Sequence, residues 1–278
     1  MTEADLDALL AEQVAYYRAR AVEYDQTSPL RTDERSRAKL ANALEAFAPQ
    51  GRVLEIACGT GQWTGMLAKT AAELTAIDAS PEMLAIAAGR VQGSHVRLIQ
   101  ADIFQWRPDQ LYDLVFFSAW LSHVPPQWFE RFWLLVAECL DEAGRFFMID
   151  ELQAVKAHER VLAGAAAPAV ARALNNGARH RTVKVFYEPE ELRARLRALG
   201  WDTSIHQVGW RFFYATGKRR NAAQSQTASR ASVGLARTFS RVSELVDKDP
   251  SDASDCLIDV DRVGRVLRTF AREDRDRV

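Results

Sequence analysis

The sequence predicts an α/β protein built on a doubly wound sheet, from three observations. Short apolar runs alternate with helix-like segments between residues 52 and 150. Those runs are continuous rather than alternating, as in parallel strands buried on both faces. Two more runs, "DTSIHQV" and "WRFFYATG", are parted only by Gly209, a link so short that it forces them antiparallel.

The elements follow in order. Residues 3–24 carry apolar positions at helical spacing and end in "YYRARAVEYD". A second helix is expected over 33–47, stopped by Pro49 and Gly51. Five strands then read "RVLEIA", "ELTAID", "VRLIQAD", "LYDLVFFSA" and "GRFFMID". Between them, "GQWTGMLAKTA", "SPEMLAIAAGR" and "QWFERFWLLVAECL" read as helices. Ser80-Pro81-Glu82 supplies an N-cap, an N1 proline and an acidic first turn, so a helix starts there. After Asp150 the alternation stops. Residues 151–170 look helical, and "NNG" at 175–177 is a hairpin signal. "EPEELRARLRALGW" is a helix closed by Gly200, and the antiparallel pair follows. From Lys218 the chain turns basic and polar, which reads as a linker over 218–278 carrying two amphipathic segments.

Composition bounds the function. The chain has 278 residues, 48% hydrophobic and 26% charged, enough for one sizeable core with appendages. A net charge of −1 gives no global drive toward nucleic acid or membrane. No apolar run reaches the roughly 18 residues that span a bilayer. The acidic N-terminus is unlike a signal peptide. Cys58, Cys139 and Cys256 lie too far apart for a disulfide framework or a metal-ligand spacing. A soluble cytoplasmic protein without a metal is therefore expected, as monomer or homodimer.

The chemistry starts at "VLEIACGTGQWT", residues 53–64. Gly59 and Gly61 let the backbone turn tightly and approach a ligand closely. A pyrophosphate loop fits badly, because the third glycine of the dinucleotide fingerprint falls on Thr64. Glu55 fits it worse, since a carboxylate repels a diphosphate but suits a cationic or hydroxyl-bearing ligand. Asp78 ends the next strand about 20 residues on, where an acid binds ribose hydroxyls or caps the following helix. Asp102 ends the third, where it can accept from an exocyclic amine while Ile103 packs on the ring. Three acids at the carboxyl edge of one sheet suit an adenosine whose other end is cationic.

"VLEIACGTGQWT", "LTAIDASPEML", "ADIFQW", "YDLVFFSAWLSHVP" and "LDEAGRFFMID" resemble, in order and spacing, the successive motifs of class I S-adenosylmethionine-dependent methyltransferases. The resemblance covers about residues 10–217. It implies a Rossmann-like, seven-stranded α/β sheet with an antiparallel last strand, N-terminal lid helices over 1–48 and a substrate-cap insertion at 151–187. It further implies that S-adenosylmethionine is the cofactor and S-adenosylhomocysteine the product. Glu55 is implied near the cofactor's amino end, with Gly59 and Gly61 letting it lie close. Asp78 would hold the ribose, with Ala79 beside it, and Asp102 with Ile103 the adenine. Met83 packs against the adenosine and Ser118 completes the contacts. Ala57 stands where the family usually has its first glycine.

The fourth strand ends in Ser118-Ala119-Trp120-Leu121 rather than an Asn/Asp-Pro-Pro-aromatic motif. That resembles small-molecule methyltransferases, so a small organic acceptor is expected, methylated at oxygen, with nitrogen and carbon open. A nucleic-acid or protein acceptor would use the basic tail, and a non-catalytic S-adenosylmethionine-binding protein is a further alternative. His123 is the candidate general base, or else a loop or cofactor contact. Tyr16, Tyr17 and Tyr24, with Arg20 nearby, form either a lid over the acceptor or an aromatic packing face. Trp120 and Glu151 complete the expected acceptor contacts.

Overall fold

The computed structural model describes residues 2–91 and 93–220. Most of the expected linker, both amphipathic tail segments and Cys256 lie outside the described residues. Among the described residues, no helix is long and apolar enough to cross a membrane.

α1 (Glu3–Arg20) starts from a reciprocal cap: Thr2 Oγ1 accepts from the Asp5 amide, and the Asp5 carboxylate accepts from the Thr2 amide. Acidic residues in its first turn and Arg18 and Arg20 in its last suit the helix dipole. Two single-turn helices follow, α2 (Tyr24–Thr27) and α3 (Pro29–Thr32), then α4 (Glu34–Phe47), capped by Asp33. β1 (Arg52–Ile56), α5 (Thr64–Leu67), β2 (Glu73–Asp78), α6 (Pro81–Ala88), β3 (Val96–Gln100) and β4 (Tyr112–Ser118) make the first half of the wound sheet. α7 (Phe129–Cys139) and β5 (Leu140–Glu151) continue it, and β6 (Val161–Leu162), β7 (Ala169–Ala173) and β8 (Arg179–Val183) form a separate sheet. α8 (Pro189–Ala198), β9 (Trp201–Val208) and β10 (Phe212–Arg219) close the domain.

Seven strands form one sheet in the order β3-β2-β1-β4-β5-β10-β9, with β10 antiparallel to both of its neighbours. The strands divide their side chains between two apolar layers. Leu114 and Phe116 join Leu40 and Leu44 of α4 on one face, while Val115 and Phe117 meet Phe132 and Trp133 of α7 on the other. Each fully buried large side chain contributes roughly 1.5–3 kcal/mol. Strand order reverses at β1, between β2 and β4, so the carboxyl ends of these strands open a crevice there.

Two expected helices differ. In "GQWTGMLAKTA" only Thr64–Leu67 is α-helical. Gly61 and Gly65 weaken the helix, and Lys69 and Thr70 return to i−3 carbonyls in tight turns. Residues 151–170 are not an α-helix. They form the end of β5, a 3-10 segment at Gln153–His158, β6 and the start of β7. Gly164 (φ +70°) and Pro168 interrupt the expected helix, and Ala169–Ala173 ladder with β8 across the 175–177 turn. The resulting three-stranded sheet carries Ala169 and Val183 against Leu6 and Leu9, which lie on the same face of α1. Tertiary burial outweighs local propensity.

Candidate functional site

The chain leaves β1 through a strained turn. Ala57 (φ +54°), Gly59 (φ +56°) and Gly61 (φ +79°) are all left-handed. Alanine therefore occupies a conformation that glycine adopts without strain and that costs an ordinary residue about 1–2 kcal/mol. The turn is tied by Cys58 N–H donating to Ile77 C=O at 3.0 Å and Gly61 N–H to Cys58 C=O at 3.0 Å. A Cβ added at Gly59 meets nothing within 4 Å, whereas one at Gly61 lies 3.1 Å from the backbone of Ala87. Gly61→Ala is therefore expected to lower the melting temperature. Gly59→Ala is expected to spare the fold more and instead weaken S-adenosylhomocysteine binding, by projecting into the open space beside the turn. Thermal melts and calorimetry on the two variants separate these effects, and equal losses of stability would contradict them.

A cavity of about 630 Å³ opens beside this turn at the carboxyl edge of the sheet. Ala57, Gly59, Asp78, Ala79 and Met83 line one side. Asp102, Ile103, Ser118, Trp120 and His123 line another, and Tyr24 reaches it from α2. Of the expected site residues, Glu55, Gly61, Tyr16 and Glu151 do not line it.

Asp78 is oriented by backbone donors on both oxygens, Gly59 N–H at 2.8 Å and Ser80 N–H at 2.8 Å. Burial nonetheless raises its carboxyl above the usual range. Ser80, not Asp78, caps α6, accepting from the Met83 amide at 3.1 Å. Asp102 accepts from the Phe104 amide at 2.9 Å and from the Gln105 side chain at 3.0 Å, a turn that sets Ile103 on the cavity wall. Glu55 is buried beneath the turn and its Oε2 has no partner. Burial pushes its carboxyl up to about 8, the Thr64 hydroxyl opposing and the Asp78 charge adding to the rise.

His123 takes a defined tautomer. Its Nδ1 lies 2.7 Å from the Val183 carbonyl and must donate to it, which leaves Nε2 to accept from the Tyr17 hydroxyl at 2.8 Å. Burial first, then the charges of Lys184, Arg172 and Arg20, hold the imidazole well below its usual pKa. Tyr17 also lines the cavity, and burial raises its phenol. Tyr16 is buried edge-on to Tyr17 and against His180. Glu151 lies in a buried ion pair, 2.6 Å from Lys184 Nζ and 3.3 Å from Arg211 Nε. Burial opposes its ionisation, but Lys184 and Arg211 keep the carboxyl low.

Several residues at the site were not singled out for it from the sequence. Gln13 joins three elements by donating to the His123 carbonyl at 3.3 Å and accepting from the Val183 amide at 2.9 Å. Asp25 of α2 accepts from Thr60 Oγ1 and Gln62 Nε2, both at 2.8 Å, and pairs with Arg90, so α2 is pinned to the glycine turn. Arg18 grips Glu82 at the start of α6. Phe104 and Trp128 extend the apolar wall. These pairings span 35 to 170 residues of sequence, and no local pattern announces them. Among the described residues, no cluster of three His, Cys, Asp or Glu is placed to hold a metal.

Residues 53–144 match a methyltransferase-domain family model. The solved DhpI–SAH complex is 40% identical, covering 76% of this chain and 97% of that one, with a TM-score of 0.66. Trans-aconitate 2-methyltransferase of Escherichia coli O1:K1 / APEC is 39% identical over 75 residues, 26% of this chain. Malonyl-[acyl-carrier protein] O-methyltransferase of Paenibacillus sp. (strain JDR-2) is 37% identical over 87 residues, 27% of this chain. The chain spans only 29% and 32% of the length of these two curated relatives. With the seven-stranded sheet, the glycine turn and the acid-lined cavity in place, the likeness to DhpI over nearly its whole length settles the family: the chain belongs to the class I S-adenosylmethionine-dependent methyltransferases.

Proposed function

We propose that this protein binds S-adenosylmethionine in the cavity and transfers its methyl group to an oxygen of a small acidic acceptor. The residues fit the cofactor. Gly59 leaves open space that a side chain would fill, and the orphaned Glu55 oxygen suits a nearby cation. Asp78 would hold the ribose, Asp102 with Ile103 the adenine, and Met83 and Ala79 the adenosine face. When bound, the cofactor supplies an electrophilic methyl group on a sulfonium.

The observation that supports the acidic acceptor is the state of His123 on the cavity wall. Burial keeps it neutral and its free nitrogen is engaged by Tyr17, while of the neighbouring cations Lys184 is paired with Glu151 and Arg172 with Glu159. Such a histidine is a poor general base, and an alcohol acceptor would need one. An acid arrives already ionised and needs only to be positioned. The two curated relatives, a trans-aconitate 2-methyltransferase and a malonyl-[acyl-carrier protein] O-methyltransferase, support the same reading.

The test is a screen of carboxylic and phosphonic acids, alcohols and amines with methyl-labelled cofactor. A labelled ester that releases its label in alkali is the expected product, with kcat at saturation flat between about pH 6.5 and 8.5. Label found only in alkali-stable amine or carbon products would overturn the proposal.

A further inference from the structure

Arg20 stands apart among the cations around the tyrosine wall. Arg172 is paired with Glu159, Lys184 and Arg211 with Glu151, Arg18 with Glu82 and Arg181 with Glu12. Arg20 has no carboxylate within ion-pair distance among the described residues. Its Nε and Nη2 both donate to one neutral oxygen, Thr27 Oγ1, at 3.3 and 3.0 Å. Its Nη1 has no hydrogen-bond partner among the described residues. The guanidinium lies 4.7 Å from the Tyr24 ring centre and 5.6 Å from that of Tyr16. Tyr24 and Tyr17 line the cavity, and the charge of Arg20 is felt at both and at His123.

This arrangement has an incomplete half. The Nε–Nη2 edge of a guanidinium matches the two oxygens of a carboxylate or phosphonate, and here it is satisfied by a single hydroxyl. The nearby Tyr24 ring and the Thr27 hydroxyl limit the freedom of the side chain, so less of it remains to be lost when an anion replaces the hydroxyl. A part-buried cation with no counter-ion next to a ligand cavity favours an anionic occupant. The Thr27 hydroxyl, which also donates to the Glu23 carbonyl at 3.0 Å, holds the fork in its absence.

We infer that Arg20 is the residue that binds the charged end of the acceptor, an oxyanion taken bidentately beside Tyr24 at the edge of the cavity. The inference rests on the acidic-acceptor reading above and names the residue that enforces it. Selectivity follows from geometry: a planar or tetrahedral oxyanion engages both donors, whereas a neutral ester of the same acid engages one weakly.

The test is a calorimetric titration of malonate, and separately of inorganic phosphate, into protein saturated with S-adenosylhomocysteine, with dimethyl malonate as the neutral control. Wild-type protein is expected to bind the anions and not the diester. Arg20→Met is expected to weaken anion binding roughly ten- to a hundredfold, the range for one charge-assisted contact. Arg20→Lys, which keeps the charge but loses the fork, is expected to fall between. In both variants S-adenosylhomocysteine affinity should stay within about threefold, which also reports a folded protein. Anion binding unchanged in Arg20→Met, while wild type methylates acids, would overturn this inference and leave the acidic-acceptor reading standing. Failure of wild type both to bind the anions and to methylate any acid would overturn the two together.

Discussion

Asp78→Ala is expected to weaken S-adenosylhomocysteine binding by roughly a hundredfold or more. Two hydroxyl donors to one carboxylate contribute about 1.5–3 kcal/mol each, and every 1.4 kcal/mol is tenfold. The substitution also releases the Gly59 and Ser80 amides that the carboxylate now receives, so the glycine turn loses its brace. Asp78→Asn separates the two roles. Its amide oxygen can still accept from one backbone donor, but its NH₂ faces the other. Calorimetry on both variants, with melting curves to show that the sheet is intact, checks the expectation. A folded Asp78→Ala protein with wild-type affinity would move the ribose elsewhere.

The second large effect is a proton. Burial pushes the Glu55 carboxyl up to about 8, so before a cation binds beside it the group is mostly neutral at pH 7. The groups facing it are Thr64, Asp78 and the buried Cys58 thiol, none of them a cation. A positively charged ligand beside it restores the charged form, so binding at pH 7 is expected to release up to one proton. Affinity should then rise with pH, by at most tenfold per unit, and level off above about 8. Titrations in buffers of differing ionisation heat measure the release, and Glu55→Gln should abolish this share of it. The ligand's own amino group titrates with either protein, so the difference between the two proteins isolates Glu55.

Stability has the opposite sign. A carboxyl raised in the folded state binds more protons than in the unfolded chain between its ordinary pKa and about 8. Without a cation beside Glu55, the protein therefore loses stability through that window as pH rises. His123 acts on the acid side: held neutral when folded, it costs stability as pH falls below its ordinary value near 6.5. Denaturant midpoints across pH 5–9 for wild type and Glu55→Gln should show a flatter alkaline limb in the variant. An identical limb in both would remove Glu55 from this account.

The cofactor half of the site was legible because each of its parts is local. A continuous apolar run, then a turn that needs positive φ, then an acid at the next strand's end are patterns of a few residues with direct steric and electrostatic meaning. Asp78, Asp102 and Ile103 follow from such patterns, Met83 from the family resemblance, and all four line one cavity. Glu55 was named for its charge, but its depth below the turn appears only when β1 is packed between β2 and β4. The acceptor half was not legible to the same degree. Tyr16 and Tyr17 are adjacent and chemically alike, and only the seating of α1 on β8 sends one into the core and the other to His123. Glu151 looked free to meet a substrate until Lys184 and Arg211 closed on it.

Periodicity and strand-end acids therefore established the wound sheet, its antiparallel closure and the chemistry of the ligand at its carboxyl edge, because burial and turn sterics act over a few neighbouring residues. The tautomer of His123, the brace from Gln13 to Val183, the three-stranded sheet in place of a helix and the lone charge of Arg20 came from contacts between distant segments. Those contacts exist only once α1, β8 and the turn after β4 are brought together, and no pattern along the chain carries the distances between them.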